Sequence, residues 1–133
     1  MDRLELPYCE HNILCDPEAA HIVFSSGAPI RLVPLDLTTQ VKIDKAGLER
    51  IRAAGTPFHE AVAGQLERYP RFKLFGWTNT HDPLAVATLI DSTFVEFKSV
   101  HLDVETGGRH SAGATLVRLP HSGESGSIQL VIS

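Results

Sequence analysis

Apolar and polar positions along the chain fall into segments of two periods, separated by proline, glycine and aspartate. The first segment is Pro17-Glu18-Ala19-Ala20-His21-Ile22-Val23-Phe24-Ser25-Ser26, preceded by Asp16 and followed by Gly27. Asp16 can accept bonds from the free N–H groups of a first helical turn, and Pro17 stands at N1, where a missing N–H costs nothing. Glu18 adds negative charge at the positive end of the helix dipole, and Gly27 supplies the left-handed residue beyond the last turn. A short helix is predicted. Ile30 to Leu37 is an apolar run of strand length, predicted to be mostly buried, and Pro34 marks its end because proline cannot donate to a ladder. Thr38-Thr39-Gln40 reads as a loop.

Asp44 to Ala54 carries Ala46, Leu48, Ile51 and Ala54 near the helical period, with Gly55 as the stop. Thr56-Pro57 then opens a second helix, with Phe58, Ala61, Val62, Leu66 and Tyr69 on its apolar face and Pro70 at its end. A loop rich in aromatics and glycine leads to Asp82-Pro83, another N-cap and N1 pair. The helix behind it is apolar nearly all round as far as Ile90, which predicts burial. Phe94 to Val104 is β-rich, Gly107-Gly108 turns the chain, and two further strand-like runs span Ala114 to Leu119 and Ser127 to Ile132. This order predicts an α/β fold: an open, mostly parallel sheet with helices around it and a C-terminal antiparallel hairpin.

Composition narrows the classes of function. With 133 residues, 43% of them hydrophobic, the chain has the size of one domain and too much apolar content for disorder. A formal charge of −4 argues against a nucleic-acid partner, since phosphate neutralisation needs a basic footprint. No run of 18 apolar residues suggests a membrane span. Met1-Asp2-Arg3-Leu4-Glu5 lacks the basic start and apolar stretch of a signal peptide, and two cysteines cannot build a disulfide framework. A cytoplasmic, reducing-compartment protein is the expectation.

Generic catalytic motifs are missing: there is no G-x-S-x-G, P-loop or G-x-G-x-x-G. His59-Glu60 begins like H-E-x-x-H, but Ala63 stands at the fifth position. Cys9, His11 and Cys15 form a C-x-H-x₃-C cluster that lacks a fourth zinc ligand, so buried thiols are the simpler reading. Two places remain, Glu10-His11-Asn12 ahead of the first helix and His81-Asp82 at the start of the apolar one. Each puts polar groups at a loop feeding a helix, where open α/β sheets bind ligands. His81 could serve as a general acid near neutral pH, and Asp82 could offer oxygen to a hard cation or a sugar hydroxyl. Equally, Asp82 could be an ordinary N-cap, and Glu10 and Asn12 exposed loop residues.

Four segments then occur in one order: Glu10-x-Asn12-x₃-Asp16-Pro17-Glu18-Ala19-Ala20, Val33-Pro34-Leu35-Asp36-Leu37-Thr38, His81-Asp82-Pro83-Leu84-Ala85 and Asp103-Val104-Glu105-Thr106. Together they resemble the inosine/uridine-preferring nucleoside hydrolases, specifically the C-terminal half of the catalytic domain, over about Glu10 to Leu119. The resemblance implies cleavage of the N-glycosidic bond of ribonucleosides to ribose and free base, with a tightly bound calcium ion. It implies that Glu10 and Asn12 bond ribose hydroxyls and that Asp82 ligates calcium while facing the sugar. It also implies that His81 protonates the departing base. Trp77 is a candidate for stacking on that base, with burial in the core as the alternative.

The chain departs from the family pattern in one large respect. The family's N-terminal aspartate cluster, D-x-D-x-x-x-D-D, supplies most calcium ligands and the base that activates water. No D-x-D occurs here. Calcium takes six to eight oxygens, and Asp82 can give at most two. His11 replaces an aromatic commonly found between the Glu and Asn, and Gly76-Trp77-Thr78-Asn79-Thr80 replaces a glycine-rich lead-in to His-Asp. The chain ends in a strand where the family continues into a last helix. Residues 1–133 therefore read as the C-terminal portion of the domain, inactive alone, working as a homo-oligomer or with the N-terminal half. A non-catalytic α/β binding or oligomerisation module derived from the same fold is the competing reading.

Overall fold

The computed structural model describes residues 9–133, so the leader reading of Met1 to Glu5 lies outside the described residues. In chain order the elements are α1 (His11–Cys15), α2 (Pro17–Ser25), β1 (Ile30–Leu32), α3 (Leu35–Thr38), β2 (Lys42–Asp44) and α4 (Lys45–Ala53). They continue with α5 (Pro57–Arg68), α6 (Pro70–Phe75), β3 (Trp77–Asn79), α7 (His81–Ile90), β4 (Phe97–Val104), β5 (Thr115–Arg118) and β6 (Ile128–Val131). The chain forms two compact units. One combines the N-terminal segment through Leu35 with Asp91–Ser133, and the other is Asp36–Ile90.

The first unit is built on a four-stranded sheet in the order β1-β6-β4-β5. β1 runs parallel to β6, with Ile30 opposite Ile128, while β4 is antiparallel to both β6 and β5. The α/β class and open sheet are as expected, and the sheet is mixed. Its core is Ile13, Val100, Leu102, Val104 and Ile128, with Ala20 and Phe24 of α2 packed against it. Val100, Ile128 and Val131 are each only 1% exposed. Asp16 caps α2 as predicted, its Oδ1 accepting from Ala19 N–H at 2.9 Å, and Gly27 adopts φ 75° just past the helix. β1 is shorter and only half-buried, because Pro34 is followed by a helical turn, α3, which takes Thr38 out of the expected loop and buries it.

The second unit pairs β2 with β3 antiparallel, Asp44 opposite Trp77, and packs α4, α5 and α6 around Leu48, Ala63 and Phe72. Asp44 caps α4 through Gly47 N–H at 2.9 Å, and Thr56 caps α5 through His59 N–H at 3.3 Å. Arg52 of α4 binds Glu67 of α5 at 2.6 Å. Three expectations are corrected in this unit. Pro70 ends α5 but also stands at N1 of α6, where its missing N–H is harmless, so the expected loop is helix plus strand. Gly76, at φ 73°, supplies the left-handed turn that stops α6. The buried face of α5 is centred on Ala63 with Leu66 beside it, while Phe58 is 72% exposed and Val62 and Tyr69 are also exposed. Close approach of α4 selects the small residue over the large apolar stripe.

The third correction concerns α7. The helix exists, but it is not buried: Leu89 is 70% and Ile90 84% exposed, and Val86 is exposed too. The side chain it buries fully is Thr88, whose hydroxyl donates back to the Ala85 carbonyl at 2.8 Å. That internal bond satisfies the hydroxyl and lets a polar residue occupy the inner position.

Candidate functional site

In the second unit the junction from β3 into α7 is clipped to the segment Thr38 to Val41. Thr80 N–H donates to the Val41 carbonyl at 3.1 Å, and Asn79 Nδ2 donates to the Thr39 carbonyl at 2.8 Å. Directly after this clip stands His81, the first residue of α7, whose Nδ1 lies 2.7 Å from Oγ1 of the buried Thr38. One ring nitrogen is thus anchored in the fold, while the residue as a whole is exposed. Fixing one ring nitrogen sets which atom of the ring is presented to a ligand.

Asp82 is not the helix cap it was weighed against. α7 begins at His81, which places Asp82 inside the first turn with an exposed carboxylate that bonds no described residue. A carboxylate there is favoured by the helix dipole and remains available to an external donor. Trp77, in β3, is half-buried, with Lys42 Nζ 4.2 Å and Arg71 Cζ 4.4 Å from its ring centroid. A base stacking on this ring would compete with the chain's own cations.

The first unit holds the other two candidates. Glu10 stands at the N-cap position of α1 without capping it; its Oε1 instead accepts from Leu35 N–H. The carboxylate therefore ties the start of α1 to the segment after β1. Asn12 is exposed on α1 rather than in a loop. Glu10 and Asn12 thus belong to one unit, and Trp77, His81 and Asp82 to the other.

Thr38 and Asn79 escaped the reading from sequence as working parts of the site. Nothing local marks them, because each acts through a partner about forty positions away. Cys15 is exposed, not a buried thiol, and its Sγ lies 3.7 Å from His11 Nε2. Elsewhere in the first unit, Asp103 accepts from Val104 N–H and faces His21 Nδ1 at 2.9 Å, which together lower its pKa. Glu124 accepts two bonds from Arg118, each 2.8 Å, and one from His121 N–H, and these hold its pKa down to about 2. His101 Nε2 is 3.0 Å from Glu124 Oε1 but out of line for a hydrogen bond, so that contact is one of charge proximity.

No group of three His, Cys, Asp or Glu side chains capable of holding a metal ion occurs among the described residues. Calcium requires six to eight oxygens, so these residues do not fit a complete calcium site.

Residues 4–132 match the family described as inosine-uridine preferring nucleoside hydrolase. The chain belongs to that family. It is 38% identical over 116 residues to a pyrimidine-specific ribonucleoside hydrolase RihA of Salmonella arizonae, covering 84% of this chain and 37% of the relative. A probable ribonucleoside hydrolase of Dictyostelium discoideum is 39% identical over 123 residues, covering 85% of this chain and 36% of the relative. Among solved structures, the purine-preferring ribonucleoside hydrolase from Gardnerella vaginalis superposes with a TM-score of 0.79 at 28% identity. That match covers 95% of this chain and 42% of the Gardnerella chain. The chain thus spans little more than a third of the length of the curated relatives it matches.

Proposed function

We propose that this chain carries the ribose-binding and leaving-group part of a nucleoside N-ribohydrolase, and that it needs the rest of the fold for turnover. The observation that carries the reading is His81, anchored through Nδ1 to buried Thr38, beside an Asp82 carboxylate that is not spent on capping. Hydrolysis breaks the bond between the ribose anomeric carbon and a ring nitrogen of the base. The transition state is electron-poor at the sugar, and the departing nitrogen gains negative charge that a proton neutralises. A protonated His81 donates through Nδ1 to Thr38 and presents Nε2–H to that nitrogen. Within the second unit, Asp82 offers oxygens to ribose hydroxyls and Trp77 a ring to the base; within the first, Glu10 and Asn12 carry, by the family resemblance, groups of the kind that bond ribose hydroxyls.

Calcium, when bound, supplies charge that polarises a water or hydroxyl oxygen. Asp82 is the single ligand this chain offers by resemblance, and the described residues do not complete the site. The same reading includes a nucleoside as substrate, a cytoplasmic location and a homo-oligomeric or two-part assembly. Among the described residues no helix is long and apolar enough to cross a membrane.

The test is base release from inosine and uridine by the chain co-expressed with the part of the Gardnerella vaginalis enzyme that it does not match. His81→Ala is expected to lower kcat for inosine by about 10²–10⁴-fold. It should affect far less a p-nitrophenyl riboside, whose leaving group departs as a stable anion. Equal losses on both substrates, or no base release by the assembled protein, would overturn the reading. Tight ribose binding without turnover would establish the competing binding-module reading instead.

A further inference from the structure

Where β3 passes into α7, three consecutive residues reach back to one short stretch of chain. Asn79 Nδ2 donates to the carbonyls of Thr38, at 3.4 Å, and Thr39, at 2.8 Å. Thr80 N–H donates to the Val41 carbonyl at 3.1 Å, and His81 Nδ1 meets Thr38 Oγ1 at 2.7 Å. Thr38 is the last residue of α3, and the last carbonyls of a helix have no partner within it. Those of Asp36 and Leu37 are satisfied locally, by Thr39 Oγ1, Gln40 Nε2 and Gln40 N–H. Those of Thr38 and Thr39 receive the side-chain amide of Asn79, about forty positions away. We propose that Asn79 is a positioning residue for His81, acting through Thr38. The proposal rests on the reading of His81 as the proton donor to the departing base.

The backbone of Asn79 is fixed in the β2–β3 ladder opposite Lys42, so its amide is a short arm on a rigid base. That arm sets the backbone from which the Thr38 side chain springs. β-Branching restricts χ1, and Thr38 is only 4% exposed, so the direction of Oγ1 follows from that backbone. Oγ1 in turn holds Nδ1, and the bond made by one ring nitrogen decides how the other is presented. A hydroxyl suits this place because it donates to a bare Nδ1 and accepts from Nδ1–H. When Nε2 gives its proton to the departing ring nitrogen, the imidazolium becomes a neutral ring that keeps Nδ1–H, and the contact with Thr38 survives. The ladder and the Thr80–Val41 bond join the same two segments without the Asn79 amide. Loss of the amide should therefore loosen the aim of His81 and leave the fold in place.

The test is read on the full ¹⁵N-labelled chain, by long-range proton–nitrogen NMR of the histidine rings at about pH 8.5, above the ordinary imidazole range. In the parent and in Thr38→Ser, the two ring nitrogens of His81 should have well-separated shifts, one protonated and one bare. In Thr38→Val, Asn79→Ala and Asn79→Asp they should converge, as in a histidine exchanging tautomers in solvent, while the backbone amide spectrum stays dispersed. Converged shifts in the parent, or separate shifts that persist in both Asn79 variants, would overturn the proposal. So would collapse of the amide spectrum in both Asn79 variants, which would make the amide a folding requirement. In the protein assembled with the unmatched part of the Gardnerella vaginalis enzyme, Asn79→Ala should lower kcat for inosine about 10- to 100-fold with KM nearly unchanged. The loss on p-nitrophenyl riboside should be far smaller. A ring that loosens in the Asn79 variants of a protein that releases no base would preserve the clamp and sink the proposed function. Base release that depends on His81 and is indifferent to Asn79 would do the reverse.

Discussion

The sheet of the first unit and helix α7 of the second both carry apolar side chains, with opposite fates. β4 and β6 alternate, and their inward positions Val100, Ile128 and Val131 are sealed. α7 is apolar nearly all round, yet Leu89 and Ile90 lie open while Thr88 is enclosed. Hydrophobicity alone therefore does not predict burial. A strand declares its inner face by alternation, so pairing and packing follow from one signal. A helix apolar on every side names no inner face, and which side is covered depends on what else the chain brings near it.

This contrast can be broken by substitution. Ile128→Ala should destabilise the protein most, by about 2–5 kcal/mol in urea unfolding, since it empties a sealed position. Ile90→Ser, which removes an equally apolar side chain from α7, should change stability by no more than about 0.5 kcal/mol. Equal losses at the two positions would show that α7 is already packed. Between these extremes, Asp16→Ala or Asp44→Ala should each cost about 1 kcal/mol by removing a helix cap, read as a lower urea midpoint at unchanged slope.

The smallest expected effect lies in the sheet's peripheral loop. Glu124 has its pKa depressed to about 2 by Arg118 and His121 N–H. A depressed folded pKa means that its contribution is complete above the ordinary carboxylate range and is lost as pH falls toward about 2. Glu124 is surface-exposed, so the change should be a local loosening seen by NMR at His121 and Arg118 between about pH 4.5 and 2. Glu124→Gln should abolish that pH dependence while leaving the fold intact at neutral pH.

The candidate site divides along the same line. His81 and Asp82 were legible as a polar pair ahead of an apolar helix, and Glu10 and Asn12 as polar groups ahead of another. Their settings were not legible. Asp82 sits inside the first turn because the helix starts two residues earlier than the Asp-Pro pair suggests. Thr38 looked like a loop residue, and its role as the anchor of His81 depends on a contact across 43 positions. Glu10 likewise spends one oxygen on Leu35 N–H, 25 positions away.

By itself the sequence determined the features that are decided within one turn. Asp16 and Thr56 each bond an N–H three residues on, and Gly27 takes the left-handed conformation that a side chain would resist. Tertiary structure alone decided which face of α5 is buried, that Thr88 goes inside α7 while Ile90 stays outside, and that Thr38 holds His81. The physical reason is range. Caps and glycine turns are satisfied by neighbours already fixed along the chain. Burial and side-chain anchoring depend on partners that only folding brings within reach.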